Sequence, residues 1–348
     1  MFELRRSLMK LGILSLMALW LSTTSLAKTY SVCWSHYTGW EPWGYAESSG
    51  ILKKWADKYK IKIKLDLVND YIESINLYTA GKYDACTMTN MDALTIPAVG
   101  GIDSTALIIG DFSNGNDGII SRSKTSVKEL KGSEVMLVEL SVSHYLLARA
   151  LDMNGMKEKD LKLVNTSDAD IGSVYSAKKG SAVTWNPILM SLKNQKGSTM
   201  LFDSSMIPGE IIDVMVVKST ADEALKKALT GAWYEVMSVM TSKSNSNAIA
   251  AMAKQAGSSV EDFKNQLKTT SMFYNPSKAV GFAKDEKLKK TMDYVRTFSF
   301  DKGLFGSNAS SKDFLGIEFS DGSVLGNKKN VKLRFTAKYM EMAASNKL

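Results

Sequence analysis

Beyond residue 28 the chain alternates short apolar runs with stretches whose apolar residues recur every three or four positions. Tyr30 to Trp34 predicts a buried strand. Ile61 to Leu67, where apolar residues alternate with Lys or Asp, predicts a half-buried one. Between them Ile51 to Tyr59 has helical spacing; Glu73 to Ala80 is a second helix, stopped by Gly81. Tyr83 to Met88 is the next strand, Asn90 to Val99 a helix ending at Gly100-Gly101, and Thr105 to Ile109 another strand. Strands alternating with helices imply parallel β-α-β units.

A second series follows the Gly- and Asn-rich stretch Ser113 to Gly118. Val127 to Lys131 predicts a short helix, Glu134 to Val138 a strand, and Ser143 to Met153 an amphipathic helix closed by Asn154-Gly155. Leu161 to Asn165 and Ala182 to Trp185 are strands flanking a helix over Ala169 to Lys178, and Asn186-Pro187 opens a further helix. Ile211 to Val217 is again apolar. From Asp222 to about Phe298 the pattern is mostly helical, and Gly303 to Leu348 mixes loops with a basic end. The expected architecture is α/β with two lobes, a cleft and two chain crossings, near Phe112 to Gly118 and near Asp213 to Lys218. Residues 28–115 with 216–348 would form one lobe and 116–215 the other.

Residues 1–27 have a different pattern. Arg5, Arg6 and Lys10 precede a mainly apolar run from Leu11 to Leu21, and Ser25-Leu26-Ala27 places small residues where a signal peptidase reads them. The run is shorter than the roughly 20 residues a membrane-spanning helix needs. A secretory leader cut after Ala27 is expected, with the mature protein in the periplasm. The formal charge of the whole chain is +8; removal of Arg5, Arg6, Lys10 and Glu3 lowers it to +6. The remaining basic residues are scattered, with pairs such as Lys53-Lys54 and Lys226-Lys227 instead of dense runs, which argues against nucleic acid as a partner. The 2 Cys, Cys33 and Cys86, lie in separate strand-like runs without metal-ligand spacing. Buried free thiols are the first expectation, a disulfide between neighbouring strands the alternative.

Ligands of open α/β sheets bind just beyond the carboxyl ends of the strands, so candidate residues are sought there. After the first strand, Ser35 to Tyr45 reads as a loop crowded with aromatics, including Trp40 and Trp43. Asn90 and Asp92 follow the strand ending at Met88, and both suit a helix start, Asn90 as the cap. Glu139 and Ser141 follow Val138; Trp185 closes its strand beside Asn186; Asp213 interrupts the apolar run Ile211 to Val217. An anion site would use helix N-termini, hydroxyls and an Arg fork. This set has no Arg or Lys; it combines Asp92, Glu139 and Asp213 with Trp40, Trp43 and Trp185. Carboxylates that accept N–H groups in pairs, together with indole faces, fit a small planar cation. Neutral urea would use the same plane with weaker electrostatics. His36 and His144 lack a catalytic context, and no HExxH, P-loop or GxGxxG is present, so neither an enzyme nor a bound cofactor or metal is expected.

The runs Gly39-Trp40-Glu41-Pro42-Trp43-Gly44-Tyr45-Ala46, Met88-Thr89-Asn90-Met91-Asp92-Ala93-Leu94-Thr95, Glu139-Leu140-Ser141-Val142-Ser143-His144, Thr184-Trp185-Asn186-Pro187 and Pro208-Gly209-Glu210-Ile211-Ile212-Asp213 carry a family resemblance. Over nearly its whole mature length the chain resembles the nitrate/taurine-type periplasmic substrate-binding proteins of ABC transporters, and within them the urea or urea-carboxylase-associated, guanidine-related branch. The resemblance implies a type II periplasmic-binding-protein fold that closes on a small solute and, as a monomer, docks on an ABC permease at the inner membrane. Guanidinium or urea is then the expected ligand, and nitrate, a sulfonate or another small anion the alternative. Thiamine-pyrimidine synthases share the fold, but their Cys-rich motif is absent here. Mass spectrometry of the exported protein should find Lys28 at its N-terminus; an intact leader on membrane-bound material would refute the assignment.

Overall fold

The computed structural model describes residues 27–348; the expected leader lies outside the described residues apart from Ala27. Two sheets organise the chain. The larger has the order β13-β12-β14-β4-β10-β3-β1-β2, with β11 paired to β4; the smaller has the order β7-β6-β8-β5-β9. In the large sheet β1 (Thr29–Trp34) lies parallel to β2 (Lys62–Leu67) and β3 (Ala85–Thr89), while β10 (Ile212–Lys218) runs antiparallel between β3 and β4 (Ser104–Ser113). Strands covered on both faces need apolar residues at successive positions, which is why β3, β4 and β10 read as near-continuous apolar runs. The edge strand β2 alternates, with Lys62 and Lys64 exposed, and so resists pairing with another chain.

Helices α1 (Glu41–Ser48), α2 (Ile51–Lys58), α3 (Tyr71–Thr79) and α4 (Asn90–Ala93, widening into a turn over Leu94–Ala98) connect the first strands. The chain then crosses between Ser113 and Asp117 into the small sheet, made of β5 (Asp117–Ser121), β6 (Glu134–Leu137), β7 (Lys162–Asn165), β8 (Ser181–Trp185) and β9 (Thr199–Asp203). Helices α5 (Val142–Met153), α6 (Asp168–Lys178) and α7 (Ile188–Lys193) cover it. After β10 come α8 (Glu223–Thr241), α9 (Ser246–Gln255), α10 (Val260–Lys268), β11 (Thr270–Met272), α11 (Pro276–Ala283) and α12 (Glu286–Asp301). The chain ends with β12 (Gly316–Glu318), β13 (Val324–Gly326), β14 (Val331–Phe335) and α13 (Lys338–Ala344).

Several expectations change. The return crossing lies between Asp203 and Ile212. Asp213 to Lys218, expected to be the crossing, is instead a strand hydrogen-bonded on both sides, so the boundary at residue 215 falls inside β10. Part of the expected aromatic loop is helix α1, whose first turn carries Glu41 and Pro42. The Gly- and Asn-rich stretch contains the start of β5, and the C-terminal stretch adds three strands to the sheet edge beyond β4. No helix among the described residues is long and apolar enough to cross a membrane.

Cys33 and Cys86 form a disulfide, which overturns the expectation of free thiols. They sit opposite each other in the register of β1 and β3, so both side chains leave the same face of the sheet, with 4.5 Å between the Cα atoms. The bridge closes a loop across a sequence separation of 53. Loop-closure entropy puts its contribution at about 4 kcal/mol. Cys86→Ser should therefore lower the melting temperature by about 6 °C, and a reductant should lower the wild type to match.

Candidate functional site

Asp213 is the single acid in β10, and the sheet register sets it directly opposite Asp111 on β4 and Thr89 on β3. All three lie where the parallel strands deliver their carboxyl ends. In the small sheet the register pairs Asp117, first residue of β5, with Trp185, last residue of β8. The two sheet ends face each other across a tightly closed cavity of about 10 Å³, about the space one water molecule needs. Tyr37, Trp40, Tyr71, Thr89, Ile211 and Asp213 line it from one lobe, and Asp117, Val142 and Trp185 from the other.

The aromatic walls hold each other. Tyr71 packs its ring 5.5 Å from both Trp40 and Trp185, and Tyr37 lies edge-on to Trp40 at 5.1 Å. Trp185 Nε1 donates to the His36 carbonyl across the cleft at 3.3 Å. Trp43 sits behind the wall against Trp233, at 5.2 Å between ring centres, and shares with Trp40 and Asp213 a narrow space under the cavity. The backbone at Asn186-Pro187, which follows Trp185, is cis.

No Lys, Arg or His lines the cavity among the described residues, yet its carboxylates are removed from water. Asp213 Oδ2 and Asp111 Oδ2 have no hydrogen-bond partner. Asp111 Oδ1 accepts from the Tyr37 hydroxyl at 3.0 Å, and Gly39 leaves the space beside Asp111 that any Cβ would fill. Burial pushes Asp213 well above the ordinary carboxylate range, and the neighbouring charges of Asp111 and Asp117 raise it further. Burial also raises Asp111, against the opposing hydrogen bonds from Asp213 and Tyr37. Asp117 is pushed up to about 7, chiefly by burial. The two carboxyl groups face each other from neighbouring strands, so the charge of each opposes ionisation of the other and Asp213 is held up the more strongly. Asp92 is placed differently: its Oδ2 accepts from the Tyr71 hydroxyl at 2.6 Å and from Thr89 Oγ1 at 2.8 Å. Burial still raises it to about 6, although these bonds oppose the shift.

The residues expected from sequence therefore separate. Trp40, Trp185 and Asp213 meet at the cavity, Trp43 braces the wall, and Asp92 anchors Tyr71. Asn90 is not the helix cap. Thr89 takes that position one residue earlier, and Asn90 instead receives the Ile212 N–H at 3.0 Å and donates to the Glu210 carbonyl at 3.1 Å, fastening the return crossing. Ser141 caps α5 and bonds the Val138 carbonyl at 2.7 Å. Glu139 does not line the cavity. It is half-buried at the end of the small sheet, where its backbone N–H bonds Asn165. Asp111, Asp117, Tyr37 and Tyr71 are functional candidates that the sequence reading missed. The rule that singled out Glu139, an acid flanking an apolar run, also marks Asp111 after Thr105 to Gly110 and Asp117 before Gly118-Ile119-Ile120. His36 bonds the buried Glu41 at 2.7 Å and His144 lies beside Glu158, so both histidines sit outside the cavity. A wider groove between α5 and α12, under Tyr294 and Phe298, is open to solvent, and there Lys302 pairs with Glu158.

A model of the NMT1/THI5-like family matches residues 55–228. No curated protein matches the sequence. Among solved structures, the alkanesulfonate-binding protein SsuA from Xanthomonas axonopodis pv. citri, bound to MOPS, superposes with a TM-score of 0.67 at 13% identity, covering 82% of this chain and 96% of that one. The periplasmic aliphatic sulphonate binding protein SsuA from Escherichia coli gives 0.65 at 16% identity, covering 81% and 95%. The periplasmic nitrate-binding protein NrtA from Synechocystis PCC 6803 gives 0.57 at 12%, covering 92% and 99%. The chain thus shares the periplasmic-binding-protein fold with all three.

The carboxylates make a prediction for the empty protein. Their folded pKa values lie above the unfolded value near 3.8, so the folded state holds protons that the unfolded chain releases. The stability they contribute is full below pH 4 and is lost as pH rises through about 7. The ligand-free melting temperature should fall between pH 5 and pH 8, and Asp117→Asn or Asp213→Asn should flatten that fall and raise the value at pH 8 by several degrees. An unchanged pH profile in both variants would show that these groups are not buried as described.

Proposed function

The chain belongs to the NMT1/THI5-like family, and on that footing we propose that it is the periplasmic solute receptor of an ABC importer, taking a small planar nitrogen cation of the guanidinium type. The carrying observation is a set of buried carboxylates: Asp213 and Asp117 line a cavity that has no basic side chain among the described residues, and Asp111 lies behind it opposite Asp213. A buried charge of one sign needs a partner of the other, and a ligand admitted when the lobes part would supply it. Guanidinium presents N–H pairs in its plane to carboxylates and two π faces to aromatic rings. Asp213 and Asp117 belong to opposite lobes, so one cation between them holds the cleft shut. Trp40, Tyr71 and Trp185 supply the faces.

Urea is the second reading. Trp40 Nε1 is a buried donor without a partner, and a carbonyl oxygen would accept from it. The sulfonates and nitrate named for the structural relatives are anions, and the cavity would have to keep its carboxyls protonated to admit them. We read the protein as a receptor and not an enzyme, since the cavity contains no nucleophile paired with a base. Export by a leader cut after Ala27, action as a monomer and delivery to an inner-membrane permease complete the proposal.

Titration calorimetry with guanidinium, urea, nitrate and taurine separates these readings. Guanidinium should bind most tightly, with affinity rising about tenfold per pH unit for each proton displaced between pH 5 and 7 and levelling above pH 8. Asp213→Asn or Asp117→Asn should cost a factor of about 100 or more in its affinity. Nitrate or taurine binding that strengthens toward low pH, with no guanidinium signal, would overturn the cation reading.

A further inference from the structure

Tyr71 stands at the junction of the two lobes. Its ring lines the cavity, and its hydroxyl donates to Asp92 and accepts the Thr89 N–H at 3.0 Å. Its backbone N–H is the first of helix α3, one of the donors that a helix start leaves without an internal partner. The cap residue Asp70 uses Oδ1 for the Glu73 N–H at 2.9 Å and so leaves the Tyr71 N–H free. That donor is taken from the other lobe: the Asp168 carboxylate, first residue of α6, accepts it with both oxygens, at 3.3 and 3.4 Å. Beside it Ser167 Oγ donates to Asp70 Oδ2 at 3.0 Å. Two helix starts from different lobes thus meet head to head.

We propose that Asp168 is a positioning residue that latches the lobes over the cavity by capping α3 from the opposite side of the cleft. The contact joins residues 97 positions apart, on helices of different lobes, so it forms only when the lobes meet. In this closed arrangement Asp168 is 6% exposed, and to the helix start of its own α6 it adds that of α3, which only the other lobe supplies. Burial and the charge of Asp70 push Asp168 up to about 6, against the bonds from the Tyr71 N–H and from its own helix start. Because the latch ends on Tyr71, closure presses the residue whose ring lies against Trp40 and Trp185 and whose hydroxyl fixes Asp92. The cavity wall and the closing contact are therefore one residue. The inference rests on the receptor reading for its ligand, though the latch itself is a property of the lobes.

The full mature protein with Asp168→Ala tests it. Guanidinium Kd should rise about tenfold, through faster dissociation with the association rate unchanged, as expected when only the closed state loses a contact. Asp168→Asn keeps an acceptor for the Tyr71 N–H and should recover part of the loss. The ligand-free melting temperature should not move. A second measurement needs no ligand: fluorescence energy transfer between labels at Asn76→Cys on α3 and Lys193→Cys on α7, both exposed and free to react because Cys33 and Cys86 are bridged. Asp168→Ala should reduce the closed fraction. If the wild type fails to bind guanidinium, the ligand reading falls and the energy-transfer result alone decides the latch. An unchanged closed fraction, or a Kd rise accompanied by an equal loss of thermal stability, overturns it.

Discussion

The structure is organised around carboxylates that are buried with no basic side chain beside them among the described residues. Asp213 and Asp111 sit side by side on neighbouring strands, and Asp117 approaches from the other lobe. A fold that served stability alone would replace them, because a buried acid either keeps its proton or pays several kcal/mol to lose it. Their presence lowers the stability of the empty protein, and under the proposed function a small cation would restore it. The surrounding features follow from that constraint. Gly39 leaves room beside Asp111, Tyr37 donates a hydrogen bond to Asp111, and Asn116, bonded to Asn186, ties Tyr37 to the crossing between lobes.

The second organising element is the aromatic enclosure. Trp40, Tyr71 and Trp185 form a contiguous wall drawn from both lobes, and Trp43 against Trp233 supports it from the core. Rings serve this role well because they exclude water over a large area while losing few rotatable bonds. Excluding water in turn raises the strength of every charge interaction inside. The acids and the rings are thus parts of one device. Under the proposed function the rings would keep the cavity dry and the carboxylates would then discriminate charge.

The family and the fold leave the ligand open. At 12–16% identity the sulfonate- and nitrate-binding structures share the arrangement of sheets with this chain and say nothing about which groups point into its cleft. A common scaffold carries sites of different charge because the residues at strand ends change without disturbing the strands behind them. Here those ends carry acids where an anion site would carry donors.

Much of the architecture was legible in the chain. Periodicity located β1 to β3, β6 to β8 and the main helices within a residue or two, because buried strands and amphipathic helices impose their spacing on the residues themselves. It also drew attention to Asp213, Trp40 and Trp185, which break or end apolar runs. Periodicity could not show that Asp213 to Lys218 is a central strand instead of a crossing, since an apolar run looks alike in either place. Nor could it choose between Asp111 or Asp117 and Glu139, since all three flank apolar runs. Register made that choice, pairing Asp213 with Asp111 and Cys33 with Cys86, and the meeting of the lobes added Asp117 and the contact of Asp168 with Tyr71. The sequence by itself determined the elements and the kinds of side chain available at their ends. Only the tertiary structure decided which of those ends face each other, because strand register and lobe closure are set by contacts between residues far apart in the chain.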